Sequence, residues 1–197
     1  MIDVENRILI IGDELFGPQG EVAARCVEML LCRKPNRPMQ FSVNAPVLPS
    51  LSQLLARASS DIIGKQAGRI VLGLGLSEMK REGGDAAKVS ESYGALVDEI
   101  IKKTQSFLDL VTVPKDLLPE IDGQVLALDD FIRAQADKCP DRVHVLDFAA
   151  HAEKFKEMQA ERGKFARSLY SDDAKPTSLC LTLLSLFLQD CILDTMK

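Results

Sequence analysis

Apolar residues gather in five short runs along the chain, over residues 7–11, 40–45, 69–73, 108–113 and 142–147. Several of these runs are continuous, a pattern typical of β-strands that are covered on both faces of a parallel sheet. Between the runs, apolar residues recur at intervals of three and four, as do Val22, Cys26, Met29 and Leu30. This spacing predicts amphipathic helices between the strands.

The alternation of strand and helix predicts the fold class. Parallel βαβ units joined by right-handed crossovers build a sheet with helices on both faces, so we expect a three-layer α/β/α sandwich with a five-stranded parallel sheet. Gly83 and Gly84 mark a loop after the third strand, and Pro114 and Pro119 interrupt the chain after the fourth. No internal repeat or long linker divides the 197 residues, which predicts a single domain over residues 1–197.

A strongly apolar segment near the end of the chain predicts a last helix that runs from Pro176 towards Met196, because proline is favoured at the first helical position. Leucines from Leu179 to Leu188 surround the axis of this helix, so it must be covered on most sides. The apolar run ends before Gln189, short of the ~20 residues that span a bilayer, and no membrane segment is expected. Packing against the sheet is favoured over a partner-binding helix, while burial in a homo-oligomer remains open.

The charge balance argues against a nucleic-acid partner. Lysine and arginine number 24 against 29 aspartate and glutamate residues, and the basic residues are scattered along the chain. Binding to phosphates needs a concentrated cationic surface. The first residues also lack the basic region and longer apolar segment of a secretory signal, so none is expected.

The cysteines and histidines limit the chemistry further. The five cysteines are odd in number and include no close Cys-x-x-Cys pair, which favours neither a disulfide framework nor a zinc cluster. We therefore expect a reducing, cytoplasmic location and no metal or other cofactor. The only histidines are His144, within the fifth strand, and His151, at the start of a charged helix, and structural or solvated roles are favoured for both.

Residues 7–17, RILIIGDELFG, resemble the first conserved block of the SGNH/GDSL hydrolases. In that family a strand ends in Gly-Asp-Ser-Leu, and the serine is the nucleophile. Gly12, Asp13 and Leu15 match this block, whereas Glu14 occupies the serine position. The resemblance implies a flavodoxin-like, SGNH-hydrolase-like sandwich.

Two further blocks concern the oxyanion hole. Residues 69–76, RIVLGLGL, resemble the family's strand that ends in Gly-x-Asn-Asp, whose asparagine donates to the oxyanion. Gly73 matches, but Gly75 stands at the asparagine position and Leu76 at the aspartate position. A glycine that contributes a backbone N–H in the family would fall between Asn44 and Pro46, where this chain has none.

The segment DDAKPTSLCLTLLSLFL resembles the family's final block, Asp-x-x-His-Pro followed by a helix. In the family the aspartate orients the histidine, and the histidine activates the serine. Asp172 and Pro176 match, while Lys175 occupies the histidine position. The resemblance therefore covers most of the chain but keeps the residues that shape the backbone and lacks those that perform the chemistry.

A serine nucleophile needs a base within reach and a third group to orient that base. Loss of a single oxyanion donor already lowers the rate roughly a hundredfold to a thousandfold. We therefore expect a non-catalytic member, a pseudoenzyme that binds a protein partner or a small ligand, with the degenerate site at Glu14, Gly75, Asp172 and Lys175. The candidate ligand-binding residues are these four together with Asp13, Asn44 and Gly73.

Two questions remain open at this stage. Glu14 and Lys175 either form an ion pair that fills the site or are ordinary solvated charges, which contribute only ~0–1 kcal/mol as an exposed pair. A divergent ester hydrolase that uses the carboxylates of Asp13, Glu14, Asp172 and Asp173, alone or with a hard metal ion, is the alternative function. For Asp13, a role as acceptor of backbone hydrogen bonds in the turn after the strand is favoured.

Overall fold

The computed structural model describes residues 6–17, 20–32, 39–44, 50–163 and 166–194. All five predicted strands are present, and their ends lie within two residues of the prediction. The strands are β1 (Arg7–Gly12), β2 (Gln40–Asn44), β3 (Arg69–Gly73), β4 (Phe107–Val111) and β5 (Val143–Leu146). They form one parallel sheet in the order β2-β1-β3-β4-β5, which confirms the predicted flavodoxin-like arrangement.

The direction of winding changes between β1 and β3, since β2 lies on one side of β1 and all later strands lie on the other. Gly12 and Gly73 are register partners, so β1 and β3 end level with each other. Ligands of such sheets bind beyond the carboxyl ends of the strands at this point of reversal. The fold therefore marks the ends of β1 and β3 as the place to look for a site.

The described helices are α1 (Glu21–Cys32), α2 (Leu51–Ala56), α3 (Ala58–Asp61), α4 (Leu76–Arg81), α5 (Ala86–Lys103), α6 (Asp122–Gln135), α7 (Phe148–Ala160) and α8 (Ser178–Asp194). They pack in two groups: α1 and α7 contact α8, while α2, α4 and α6 contact α5. Consecutive residues Ile8 to Ile11 of β1 are all buried, so both faces of the sheet are covered. This confirms the predicted three-layer sandwich.

The last helix begins at Ser178, and the prediction that it starts at Pro176 is wrong. Pro176 instead pairs with Tyr170 in an isolated antiparallel bridge. Thr177 caps the helix, because its carbonyl oxygen accepts a hydrogen bond from the N–H of Leu181 at 3.0 Å and its hydroxyl one from the N–H of Cys180 at 3.3 Å. The predicted end at Met196 lies outside the described residues.

Helix α8 is covered mainly by α1, with α7 beside it. Its leucines at 181, 184 and 188 are buried, and the hydroxyl of Ser185 lies 3.3 Å from the carbonyl oxygen of Val22 on α1. Leu186 points outward and is 42% exposed. In the part of the chain that the structure covers, no helix combines the length and the apolar character needed to cross a membrane.

Candidate functional site

The ends of β1 and β3 meet around the ring of Phe16. This ring is fully buried, and it lies so close to both strands that a Cβ atom on Gly12 would be 2.3 Å from it and one on Gly73 would be 2.0 Å from it. Neither position can hold a side chain while the ring stays in place. Two of the glycines that match the family blocks are thus required by packing, independently of any chemistry.

Asp13 connects the ends of β1 and β3 with the start of α4. Its backbone N–H donates to the carbonyl oxygen of Gly73 at 3.0 Å. One carboxylate oxygen accepts from the N–H of Leu15 at 3.0 Å, and the other accepts from the N–H groups of Gly75 and Ser77, both at 2.9 Å. The prediction that Asp13 accepts backbone hydrogen bonds is confirmed. Burial raises the pKa of this carboxyl to about 6, although the three hydrogen bonds act to lower it.

Glu14 stands at the nucleophile position and forms an ion pair with Lys80 of α4, with Oε2 and Nζ 2.5 Å apart. Its backbone N–H donates to the hydroxyl of Ser77 at 3.3 Å. The hypothesised ion pair between Glu14 and Lys175 is not formed, because Lys175 donates to Asp173 in its own turn. Both side chains of the observed pair are about one-third exposed, so the contact is neither buried nor fully solvated.

Lys175 nevertheless lies in the electrostatic neighbourhood of Glu14. Its pKa is raised first by the hydrogen bond to Asp173 and, more weakly, by the charge of Glu14. A Cβ atom on Gly17 would also be only 3.0 Å from the side chain of Leu181 on α8. The segment after β1 and the start of α8 therefore converge, as the family resemblance implies.

Gly75 has a backbone conformation that excludes the family's asparagine. Its φ angle is +124°, which residues with a side chain rarely adopt, and a Cβ atom would lie 3.0 Å from the side chain of Leu128. Its N–H is already bonded to Asp13. This position supplies no side-chain donor and no free backbone donor to an oxyanion.

The remaining predicted site residues are less closely associated. Asn44 is the register partner of Ile11 at the end of β2, but its side chain and residues 45 and 46 lie outside the described residues. Asp172 is exposed in the turn before Pro176, where Asp173 and not Asp172 contacts Lys175. Among the described residues, no three or more His, Cys, Asp or Glu side chains are placed to hold a metal ion, so the hypothesised carboxylate cluster is not assembled.

A shallow pocket of about 220 Å³ opens beside the ion pair. Its apolar surface comes from Met79, Leu118 and Ile121, and charged groups come from Lys80 and Glu120. Backbone of the loop after α4 forms the rest, since the lining is completed by Gly83 and Gly84. Lys80 therefore belongs both to the ion pair at the nucleophile position and to the wall of the pocket.

Sequence reasoning missed three polar residues at this end of the sheet: Ser77, Tyr93 and Asp129. Ser77 precedes Lys80 by three positions, a spacing that brings both side chains to one side of α4, and this Ser-x-x-Lys pattern could have been noticed. Asp129 lies on the apolar face of α6, where it is fully buried and accepts from the N–H of Val113 at 2.8 Å. Burial raises its pKa to about 7.

Both histidines and the four described cysteines make packing or hydrogen-bond contacts within the fold. His144 lies 3.3 Å from the carboxylate of Asp109, which is held by two hydrogen bonds from Arg69. His151 packs against the ring of Phe187, and burial lowers its pKa.

The cysteines at 26, 139, 180 and 191 are free thiols. Burial raises the pKa of those at 26 and 180 to about 12, so they are poor nucleophiles.

No protein-family profile matches the sequence, and no curated protein matches it. Several solved structures do share its fold. The psychrotrophic esterase EstA from Pseudoalteromonas sp. has 16% sequence identity and a TM-score of 0.67, and the match covers 98% of this chain and 99% of that chain. The acetyl xylan esterase Axe2 from Geobacillus stearothermophilus, as its W215I variant, has 14% identity, coverage of 96% and 95%, and a TM-score of 0.73.

A G-D-S-L family protein from Desulfitobacterium hafniense DCB-2 has 14% identity, coverage of 94% and 99%, and a TM-score of 0.70. These matches extend over nearly the whole of each chain. They confirm the expected SGNH/GDSL-like fold. Because one fold supports many functions, the activity has to be argued from the site.

Proposed function

We propose that this chain, which has the fold of the SGNH/GDSL esterases, is a non-catalytic domain that binds a small ligand or a protein partner beside its degenerate site. The observation that carries the proposal is the ion pair between Glu14 and Lys80 at the nucleophile position. A carboxylate bonded to an ammonium group is a poor nucleophile. The ammonium in turn is a donor and offers no lone pair to accept a proton.

The backbone supports the same conclusion. An oxyanion hole requires N–H groups that point to the reacting atom and are free to bind it. Here the N–H of Glu14 donates to Ser77, and the N–H groups of Gly75 and Ser77 donate to Asp13. The donors at the ends of β1 and β3 are therefore used within the protein, and none of these three is available to a substrate.

The pocket next to Lys80 supports ligand binding. Its volume of about 220 Å³ is below the roughly 300–1,000 Å³ of sites for drug-sized molecules. A small molecule with a short apolar part would contact Met79 and Ile121, and its polar part would lie near Lys80 and Glu120.

An esterase assay tests the non-catalytic part of the proposal. The unaltered chain, Glu14→Ala and the control Glu99→Ala should all hydrolyse 4-nitrophenyl acetate no faster than a buffer blank. Glu99 is a suitable control because it also forms an ion pair, with Lys103, but lies on α5. Turnover that is present in the unaltered chain and the control but lost in Glu14→Ala would contradict the proposal and establish a hydrolase that works through Glu14.

One observation favours that alternative. Asp13 is adjacent to Glu14, and burial raises its pKa to about 6, close to the range that suits a general acid or base. Both of its oxygens are, however, occupied by backbone N–H groups. We therefore keep the carboxylate hydrolase as the second candidate, and the same assay decides between the two.

A methyl NMR titration tests the ligand site. Addition of sodium butyrate or ethyl acetate should shift the methyl signals of Met79, Leu118 and Ile121 and leave that of Ile62 unchanged, since Ile62 is a buried residue on the chain after α3. Shifts of Ile62 alone, or of no methyl group at millimolar concentrations, would contradict a small-ligand site here.

The free thiols among the described cysteines support the proposed reducing, cytoplasmic location. Association with a protein, including a second copy of this chain, is proposed for the outer face of α8, where Leu186 is exposed.

A further inference from the structure

The pocket beside the ion pair has two walls that touch each other. One wall is α4 with the loop that follows it, and the other is the segment 118–121. A Cβ atom on Gly84 of the loop would lie only 3.0 Å from Cγ2 of Ile121. The N–H of Gly84 also donates to the carbonyl oxygen of Met79 at 2.9 Å, which holds the loop against the end of α4. The apolar part of this lining suits a short aliphatic chain.

The charged groups of the lining are Lys80 and Glu120. Nζ of Lys80 lies 2.5 Å from Oε2 of Glu14, an acid that does not itself line the pocket. Glu120 is exposed, and in the described part of the chain it makes no ion pair. Lys115 and Asp122, which flank the second wall in sequence, have opposite charges. Two carboxylates against one ammonium group therefore leave the pocket with a net negative charge.

The charges around α4 do not offset this negative charge. Arg81 is paired with Glu78, and Nζ of Lys88 lies 2.5 Å from Oε2 of Glu82. Asp85 adds a further acid to the loop, and its carboxylate accepts from the backbone N–H of Lys88 at 3.1 Å. The cations near this wall are thus already balanced by acids, and the carboxylate of Glu120 is left for a ligand.

We propose that the pocket binds a small primary ammonium ion with a short apolar chain, and that Glu14 sets this preference by neutralising Lys80. The inference rests on the proposed ligand site and adds the charge of its ligand. The ammonium group lies beside the carboxylate of Glu120, and the chain contacts Met79 and Ile121. An anion would face the repulsion of Glu120 and would have to compete with Glu14 for Lys80.

Three probes of four carbons each test the charge of the ligand. At pH 7 butylammonium chloride supplies a cation, sodium butyrate an anion and 1-butanol a neutral molecule. Each is titrated while the methyl signals of Met79, Leu118 and Ile121 are followed by NMR. An exposed charge pair changes an affinity by up to about fivefold, and attraction of one ion adds to repulsion of the other. At low salt the Kd of butylammonium should therefore be about threefold to tenfold lower than that of butyrate.

The outcomes of this titration separate the inference from the proposed function. Equal Kd values for the two ions, or tighter binding of butyrate, would overturn the inference and leave the ligand site standing. Absence of methyl shifts with all three probes would overturn both.

Two variants test the roles of the charged residues. Glu120→Gln should bring the two Kd values within about twofold of each other, because it leaves Lys80 and Glu14 balanced. Glu14→Gln combined with Glu120→Gln leaves Lys80 uncompensated, so butyrate should then bind more tightly than butylammonium. The control Glu157→Gln removes an exposed acid of α7, outside the pocket lining, and should keep the preference of the unaltered chain. A double variant that still favoured the cation would overturn the role of Glu14.

Salt gives a test that needs no variant. In 1 M sodium chloride the Debye length falls to about 3 Å, so the two ions should bind with nearly equal Kd values. A preference of unchanged size in high salt would show that it does not arise from charge, and this result would overturn the inference.

Discussion

At the scale of single residues, packing and backbone conformation explain three glycines at the ends of β1 and β3 without reference to any reaction. Gly12 and Gly73 have no side chain because the ring of Phe16 occupies that space. Gly75 has none because its backbone takes a φ angle of +124°. The family resemblance matches the first two glycines and not the third, and the structure gives each a physical reason.

Restoring the family's asparagine at Gly75 should destabilise the chain without creating activity. In Gly75→Asn the unfavourable φ angle and the contact with Leu128 should lower the free energy of unfolding by about 1–3 kcal/mol, measured by urea denaturation. Gly83→Asn is the control, because Gly83 has a φ of +60°, which asparagine tolerates, and a Cβ atom there meets no neighbour within 4 Å. Equal stability of both variants would contradict this account of Gly75.

The sequence could not identify the partner of Glu14. Lys80 is 66 residues further along the chain, and periodicity in a short helix does not show which of its side chains faces the neighbouring loop. The motif alignment favoured Lys175 because it stands at the histidine position. A turn with its own acid, Asp173, holds that lysine instead.

At the scale of elements, the sequence predicted the strands well and the helix ends less well. Buried parallel strands are continuous apolar runs, and such runs can be read directly from the sequence. Helix starts depend on local competition for caps: the rule that favours proline at the first position pointed to Pro176, but the hydroxyl and carbonyl of Thr177 form the cap one residue later.

The same substitution should destabilise the chain strongly at one leucine of α8 and very little at another. Leu184→Asp buries an unpaired charge and should reduce the free energy of unfolding by more than about 4 kcal/mol, whereas Leu186→Asp should change that of the monomeric chain by less than about 0.5 kcal/mol. Thermal denaturation followed by circular dichroism measures both. A large loss in Leu186→Asp would show that this residue is covered in solution, and light scattering would then reveal whether a second copy covers it.

At the scale of the whole molecule, buried acids should make stability depend on pH. Burial raises the pKa of Asp13 to about 6 and that of Asp129 to about 7, from an ordinary value of 3.8. Between these values the folded chain binds more protons than the unfolded chain, so this contribution is fully present below pH 3.8 and is lost as the pH rises through 6 and 7. His151, whose pKa burial lowers, acts in the opposite direction below its ordinary value.

The difference between two variants isolates this effect. From pH 7.5 down to pH 5, the free energy of unfolding of the unaltered chain should rise relative to that of Asp129→Asn by up to about 1.4 kcal/mol per pH unit, the slope for one proton. Asp130→Asn, which alters the exposed neighbouring residue, should follow the unaltered chain. Parallel curves for all three proteins, from chemical denaturation at each pH, would show that Asp129 does not retain a proton near neutrality.

The predicted fold and the convergence of the two end segments were within reach of the sequence, because strand order and block order follow from patterns along the chain. The buried polar residues Tyr93 and Asp129 were not. They lie on α5 and α6, and the packing of these two helices against each other is not visible in the pattern along the chain. The extent of the single domain, residues 1–197, remains a prediction.

The close packing of the Phe16 ring against Gly12 and Gly73 restricts which substitutions the ends of β1 and β3 can accept. Positions 12, 16 and 73 share one volume, so a larger residue at either strand end and an aromatic ring between them exclude each other. If a glycine is enlarged first, its new side chain clashes with the ring. If Phe16 is first replaced by a smaller residue, the intermediate has a void. Volume exclusion is therefore enough to preserve the two glycines through neutral drift, whether or not a reaction takes place above them.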